Sequence, residues 1–263
     1  MLGAISGDII GSVFEHQPVK TTEFPLFSNE STYTDDTVLT VAVAEAILKG
    51  VDYGLVIRSY GRKYPNAGYG IRFYDWLHDP NPRPYSSWGN GSAMRVSPIG
   101  FAFGTVDEVL REARRSAEIT HNHPEGIKGA QSVALAVFLA RSGAAKEDIK
   151  KELAGRFGYD LDRRLDDIRP SYRFDASCRG TVPEAIISFL EGDGLIGAVR
   201  NAVSLGGDSD TLAAIAGGIA EAFSGPVPDD VFIEAAARLP GEFLSVIGDF
   251  YEAAGLPHPG VDR

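Results

Sequence analysis

Two short stretches far apart in the chain, Thr34-Asp35-Asp36-Thr37 and Asp208-Ser209-Asp210-Thr211, share one composition and one setting. Each opens a run of small apolar residues, Val38 to Leu48 in the first case and Leu212 to Phe223 in the second. Such runs read as helices too apolar to lie on a surface. A carboxylate or hydroxyl at a helix start accepts hydrogen bonds from the free amides of the first turn and suits the positive end of the dipole. One Asp per helix meets that need. A second adjoining carboxylate repels the first and loses hydration on burial, so it calls for compensating positive charge. A fold that brings both helix starts together around a cation supplies it.

The donors in both stretches are oxygens, which suits Mg²⁺, Mn²⁺ or Ca²⁺ rather than zinc or copper. The spacing is not that of an EF-hand loop. Two clusters suit a pair of ions roughly 3.5–4 Å apart, as in two-metal hydrolases.

Periodicity elsewhere is helical. Gly3, Gly7 and Gly11 recur every fourth residue over 1–13, on one helical face, where another helix or a ligand approaches closely. Asp8 and Glu15 share a face if that helix persists to Glu15. Helices are expected over 38–49, 51–63, 105–118, 125–142, 145–157, 182–191, 194–204, 210–223, 228–238 and 241–254, with a short one near Ile71–His78. Alternating β-branched runs joined by hairpin turns are absent. The expectation is an all-α fold, a compact multi-helix domain spanning 1–263. The polar, irregular stretch 158–180 is the best candidate for a boundary, yet the two acidic clusters lie on either side of it. The segment 226–263 is amphipathic and suits closing the core as well as building a dimer.

A formal net charge of -11 argues against nonspecific nucleic-acid binding, which uses basic surface. Its single cysteine, Cys178, excludes an intrachain disulfide. The start of the chain lacks a secretory pattern and no run is long enough to span a bilayer, so a cytoplasmic location and no membrane partner are expected.

Three further features bear on chemistry. Ser87-Trp88-Gly89-Asn90-Gly91-Ser92 holds a Gly-Asn-Gly turn whose amides suit an anion, beside an indole that suits a base or sugar; a surface turn with Trp88 as packing is the alternative. His121 and His123 suit zinc, helix capping or donation to phosphate; no third nitrogen or sulfur ligand is signalled. Glu15, between Phe14 and His16, would gain proton affinity in a partly apolar cleft and so suit a general base or acid. The serine-hydrolase elbow, the Walker A loop and the dinucleotide glycine fingerprint are all missing.

In order along the chain, Gly7-Asp8 with Gly11 and Glu15, Thr34-Asp35-Asp36-Thr37, Gly89-Asn90-Gly91 with Ala93-Met94-Arg95, Thr120-His121, and Gly206-Gly207-Asp208-Ser209-Asp210-Thr211 together resemble the ADP-ribosylglycohydrolase family, which includes the dinitrogenase reductase activating enzyme. The resemblance covers roughly residues 1–224 and implies an all-α orthogonal helical bundle with two Mg²⁺ (or Mn²⁺) ions at the base of a cleft. By position it implies Thr34, Asp35, Asp36, Asp208, Asp210 and Thr211 as metal ligands. Ser87, Trp88 and His121, with the Gly89-Asn90-Gly91 turn, would lie along ADP-ribose. Glu15 corresponds to the acid proposed as base or metal-gating residue, and with Asp36 it would serve the reacting carbon. Trp88 stands where some relatives have tyrosine, and the chain is compact beside several members.

The implied reaction is metal-dependent hydrolysis at ribose C1″ of an ADP-ribosylated protein or small molecule, with ADP-ribose as product. Two rivals share these ligands: a two-metal phosphoesterase acting on a nucleotide diphosphate, and a non-catalytic ADP-ribose reader or structural member of the family.

Overall fold

The structure, a computed structural model, describes residues 1–257; the last six positions of the expected 1–263 domain and of the 226–263 segment lie outside the described residues. Fifteen helices follow one another: α1 (Leu2–Gly11), α2 (Asp35–Lys49), α3 (Tyr53–Lys63), α4 (Ile71–His78), α5 (Gly91–Met94), α6 (Ser97–Ala102), α7 (Val106–Glu118), α8 (Pro124–Arg141), α9 (Lys146–Phe157), α10 (Leu165–Ile168), α11 (Cys178–Glu191), α12 (Gly194–Ser204), α13 (Ser209–Ser224), α14 (Asp229–Ala236) and α15 (Gly241–Ala253). The fold is all-α. Among the described residues the one β-type pairing is an isolated antiparallel bridge between Gly89 and Ser177. No described helix is long and apolar enough to cross a membrane.

Local chemistry explains the element ends. Thr34 caps α2 by accepting from Asp36 N, and Gly50 ends it in the left-handed region. Thr105 and Glu108 form a capping box on α7. His123 caps α8, with Pro124 at the first helical position. Ser177 accepts from Gly180 N, so α11 begins at Cys178 rather than near 182 and carries Pro183 inside it. The short α5, α6 and α10 leave too little periodicity to be separated from loop in the sequence.

The architecture centres on α13, which is buried from Ser209 to Glu221. Helix α1, buried along its whole length, lies against it through the glycine stripe. A Cβ on Gly3 would stand 2.3 Å from Gly217 O, one on Gly7 2.1 Å from Ala213 O, and one on Gly11 2.5 Å from Ser209 O. Only hydrogen fits at these three points, and the two backbones touch. Helices α8, α11 and α12 surround the rest of α13. Helix α15 packs on α2 with Phe243, Ile247 and Phe250 buried, so the described part of the C-terminal segment closes the core.

Helix α1 stops at Gly11, short of the expected 13, and Phe14 turns back onto Phe24 with ring centroids 4.7 Å apart. Asp8 and Glu15 therefore do not share a helix face: Asp8 is inside α1 and Glu15 stands in the turn that follows. The close seat of α1 on α13 still brings both to the start of α13.

Candidate metal centre and cleft

The glycine contact sets the site. It holds Asp8, fully buried on α1, beside Asp210 in the first turn of α13 and Asp36 in the first turn of α2. Carboxylate oxygens of Asp8, Asp36 and Asp210 lie within 4.8 Å of one another, and so do those of Glu15, Asp208 and Asp210. Asp210 thus belongs to both groups. The two sequence clusters, parted by most of the chain, meet here: Thr211 Oγ1 donates to Asp36 Oδ2 at 3.2 Å.

Hydrogen bonds orient these groups. Asp8 accepts from Thr34 N and Oγ1 at 3.0 and 2.7 Å and from Thr37 N at 3.1 Å, with the Thr37 hydroxyl donating as well. Asn90 Nδ2 donates to Asp208 Oδ2 at 2.7 Å and to Thr181 Oγ1 at 3.0 Å. Asp210 Oδ1 accepts from Thr211 N at 2.9 Å. Asp36 Oδ1 is buried with no hydrogen-bond partner.

The electrostatics are those of crowded acids. Burial, then the neighbouring Asp210, raises Asp8 to about 7 against the opposing bonds from Thr34 and Thr37. The same two causes push Asp35, Asp36 and Asp208 well above the usual carboxylate range. Glu15 is raised by burial and by Asp210, with His16 opposing. Several acids that protons alone would have to neutralise, an orphaned Asp36 oxygen and an oxygen-only donor set fit hard divalent cations.

Above this floor runs a cleft of about 440 Å³, within the range of small-molecule sites. Glu15, Thr34, Asp35, Asp36, Asp208, Asp210 and Thr211 line its base, and Ser87, Gly89, Asn90, Gly91, Arg95 and His121 one wall. Tyr85, Ile71 and Phe174 add apolar surface. The bridge of Gly89 to Ser177 and the bond from Asn90 N to Ala176 O at 2.8 Å pin the Gly-Asn-Gly turn to the chain before α11. Beneath the wall lies the fully buried Arg95, whose Nη2 donates to Ser116 O and Thr120 Oγ1 while Nε and Nη1 have no protein partner.

Not every expected residue converges. Trp88 is 55% exposed with its ring against His123 at 5.8 Å, outside the cleft lining; it is neither core packing nor a cleft wall. The Asp35 carboxylate lines the cleft base, with Oδ1 3.7 Å from where a Cβ on Gly68 would stand, and belongs to neither carboxylate group. The histidines diverge: His123 Nδ1 accepts from Glu125 N as a cap, while His121 enters the cleft, and neither belongs to a cluster of metal-ligand type among the described residues. Asp8 was absent from the expected ligands. Its signal was its place directly after Gly7, at the edge of the face pressed on α13.

A family model for ADP-ribosylglycohydrolases matches residues 1–255. The chain belongs to the ADP-ribosylglycohydrolase family. Human ADP-ribosylhydrolase ARH3 is 29% identical over 86% of this chain and 84% of its own length. ADP-ribosylarginine hydrolase Tri1 of Pseudomonas putida (strain GB-1) is 26% identical over 86% of this chain and 69% of its own. A solved structure described as an ADP-ribosylglycohydrolase-related protein complex superimposes with a TM-score of 0.72 at 26% identity, covering 96% of this chain and 95% of that one. Kinship with these ADP-ribosylglycohydrolases supports an enzyme of the glycosyl-bond hydrolase type.

Proposed function

We propose that this ADP-ribosylglycohydrolase family member cleaves the glycosidic bond at ribose C1″ of an ADP-ribosylated protein or small molecule and releases ADP-ribose. The observation that carries this reading is Asp210, shared by two carboxylate groups at the floor of a cleft walled by the Gly89–Gly91 turn and His121. Thr34, Asp35, Asp36, Asp208, Asp210 and Thr211, together with Asp8, would hold two divalent cations, Mg²⁺ or Mn²⁺, which when bound fix the ribose 2″ and 3″ hydroxyls and offset charge.

The chain's own groups act on the sugar, the attacking water and the anionic part of the ligand, while the leaving group departs by taking up a proton from solvent. Asp36 and its neighbours face the sugar and stabilise the positive charge that grows at C1″ in an oxocarbenium-like transition state. Glu15, half-buried beside Asp208 and Asp210, has its proton affinity raised by burial and by Asp210 and takes a proton from the attacking water on its carboxylate oxygen. Asn90 holds Asp208 in place. With Gly89 N donating to Ser87 Oγ and Asn90 N to Ala176 O, the Gly91 amide and the His121 ring bind the anionic part of the ligand, and Tyr85 and Phe174 offer surface to its base.

Incubation with Mg²⁺ and a panel of arginine-linked, serine-linked and small-molecule ADP-ribose conjugates tests the reading. Release of free ADP-ribose supports it. Release of AMP would assign the same ligands to phosphodiester chemistry, and tight ADP-ribose binding without release from any linkage would make the protein a reader.

A further inference from the structure

We infer that Arg95, Thr120 and His121 form a hydrogen-bond relay that fixes His121 as the neutral imidazole with its proton on Nε2 and aims that N–H at an anionic group in the cleft. Arg95 and Thr120 are positioning residues in this arrangement. The identity of the anion rests on the ADP-ribose reading given above; the relay does not.

The argument is one of donors and acceptors in a dry place. Thr120 is fully buried. Its Oγ1 accepts from Arg95 Nη2 at 3.1 Å and lies 2.7 Å from His121 Nδ1. Arg95 has no lone pair to offer, so the hydroxyl proton of Thr120 cannot go to it. It goes to Nδ1. Were Nδ1 protonated, Thr120 Oγ1 would accept twice and its own proton would be left buried and unmatched, a difference of roughly tenfold or more in tautomer population. A doubly protonated ring is disfavoured as well, first by burial and then by Arg95 and Arg72. The groups packed about the ring are the two arginines, Tyr85 with its ring centroid 6.2 Å away, and the Gly89–Gly91 turn; no carboxylate pairs with His121 among the described residues.

The far side of the ring supplies the second half. A Cβ on Gly91 would stand 3.2 Å from His121 Nε2 and one on Gly89 3.6 Å from it. The missing side chains let the imidazole edge reach the same wall as the Gly91 amide. With the opposite tautomer a lone pair would face that wall and repel an anion. Behind the ring, the unpartnered Nε and Nη1 of Arg95 add positive potential from a guanidinium that makes no direct ion pair among the described residues and feels Asp35 only at a distance.

Long-range ¹H–¹⁵N spectra of the histidine rings in the full-length protein, with the His121 signals identified by their loss in H121Q, test this without ligand or turnover. The expected spectrum shows His121 Nδ1 as the unprotonated, pyridine-type nitrogen and Nε2 as the protonated, pyrrole-type one. Thr120→Val should mix or reverse these signals and weaken binding of ADP-ribose, the probe, by about tenfold; Thr120→Ser should restore both. A native spectrum with the proton on Nδ1 overturns the relay, as does a Thr120→Val spectrum identical to the native one. Failure of ADP-ribose to bind while the native spectrum is as expected would count against the proposed function and leave the relay standing.

Discussion

Asp210 gives its carboxylate to two groups, Asp8 with Asp36 on one side and Glu15 with Asp208 on the other. Asp210→Asn removes charge from both and is expected to weaken Mn²⁺ binding by more than about 100-fold. Asp35→Asn, at a carboxylate that belongs to neither group, should lose distinctly less. Calorimetry on the two variants decides it, and equal losses would count against a shared role for Asp210. Glu15→Gln should lower kcat by about 10²–10⁴-fold with ADP-ribose affinity kept, since it removes a proton acceptor and leaves the shape; full activity in single-turnover assays would take Glu15 out of the reaction. At this scale the sequence exposed those acids that sit beside their own helix-cap signal, because capping is local. Asp8 gave no such signal, since its partners Thr34 and Thr37 lie 26 and 29 residues further on. Nor did sequence show that Trp88 would turn toward His123 and away from the cleft.

Among the helices, the contact that matters most is α1 on α13. A methyl group at Gly7 would fall 2.1 Å from Ala213 O, so Gly7→Ala must push the two helices apart. The expected cost is about 1–3 kcal/mol of stability. Metal affinity should fall with it, because Asp8 rides on one helix and Asp210 on the other. Gly248→Ala is the control: inside α15, with nothing within 4 Å of its Cβ, it should gain about 0.5–1 kcal/mol and leave metal binding alone. Chemical denaturation and metal titration of both variants check this, and a Gly7→Ala protein as stable as the parent would contradict the contact. The four-residue spacing of glycines was legible as a close approach. Which helix it approaches was not, because that is a long-range fact that no local window carries. The end of α1 was misjudged for a related reason: Phe14 leaves the helix for Phe24, a partner outside the periodic segment.

For the molecule as a whole, clustered acids make stability depend on protons and cations together. The unfolded chain releases the Asp8 proton near 3.8, and the folded chain keeps it until about 7. Between those values the folded state binds more protons, so the metal-free protein should lose stability as pH rises from about 4 to 7. Added Mg²⁺ or Mn²⁺ should reverse that trend at neutral pH, where protons no longer compete for the carboxylates. Thermal unfolding across this range with chelator and with metal provides the measurement; a metal-free Tm that climbs toward pH 7 would be the wrong sign. The all-α class was legible because helical periodicity runs through nearly all of the chain, whereas the fold of 158–180 was not, since that strap is held by contacts such as Asn90 N to Ala176 O rather than by a pattern of its own. The seat of α1 has one more consequence. Its partner α13 is translated some two hundred residues later, at Ser209–Ser224. Throughout that interval on the ribosome the first helix has no mate for its bare, apolar flank, and the carboxylates of the centre cannot gather. Non-local closure of this kind slows folding and exposes sticky surface. A nascent chain halted before Ser209 should therefore lean on chaperones and bind no metal.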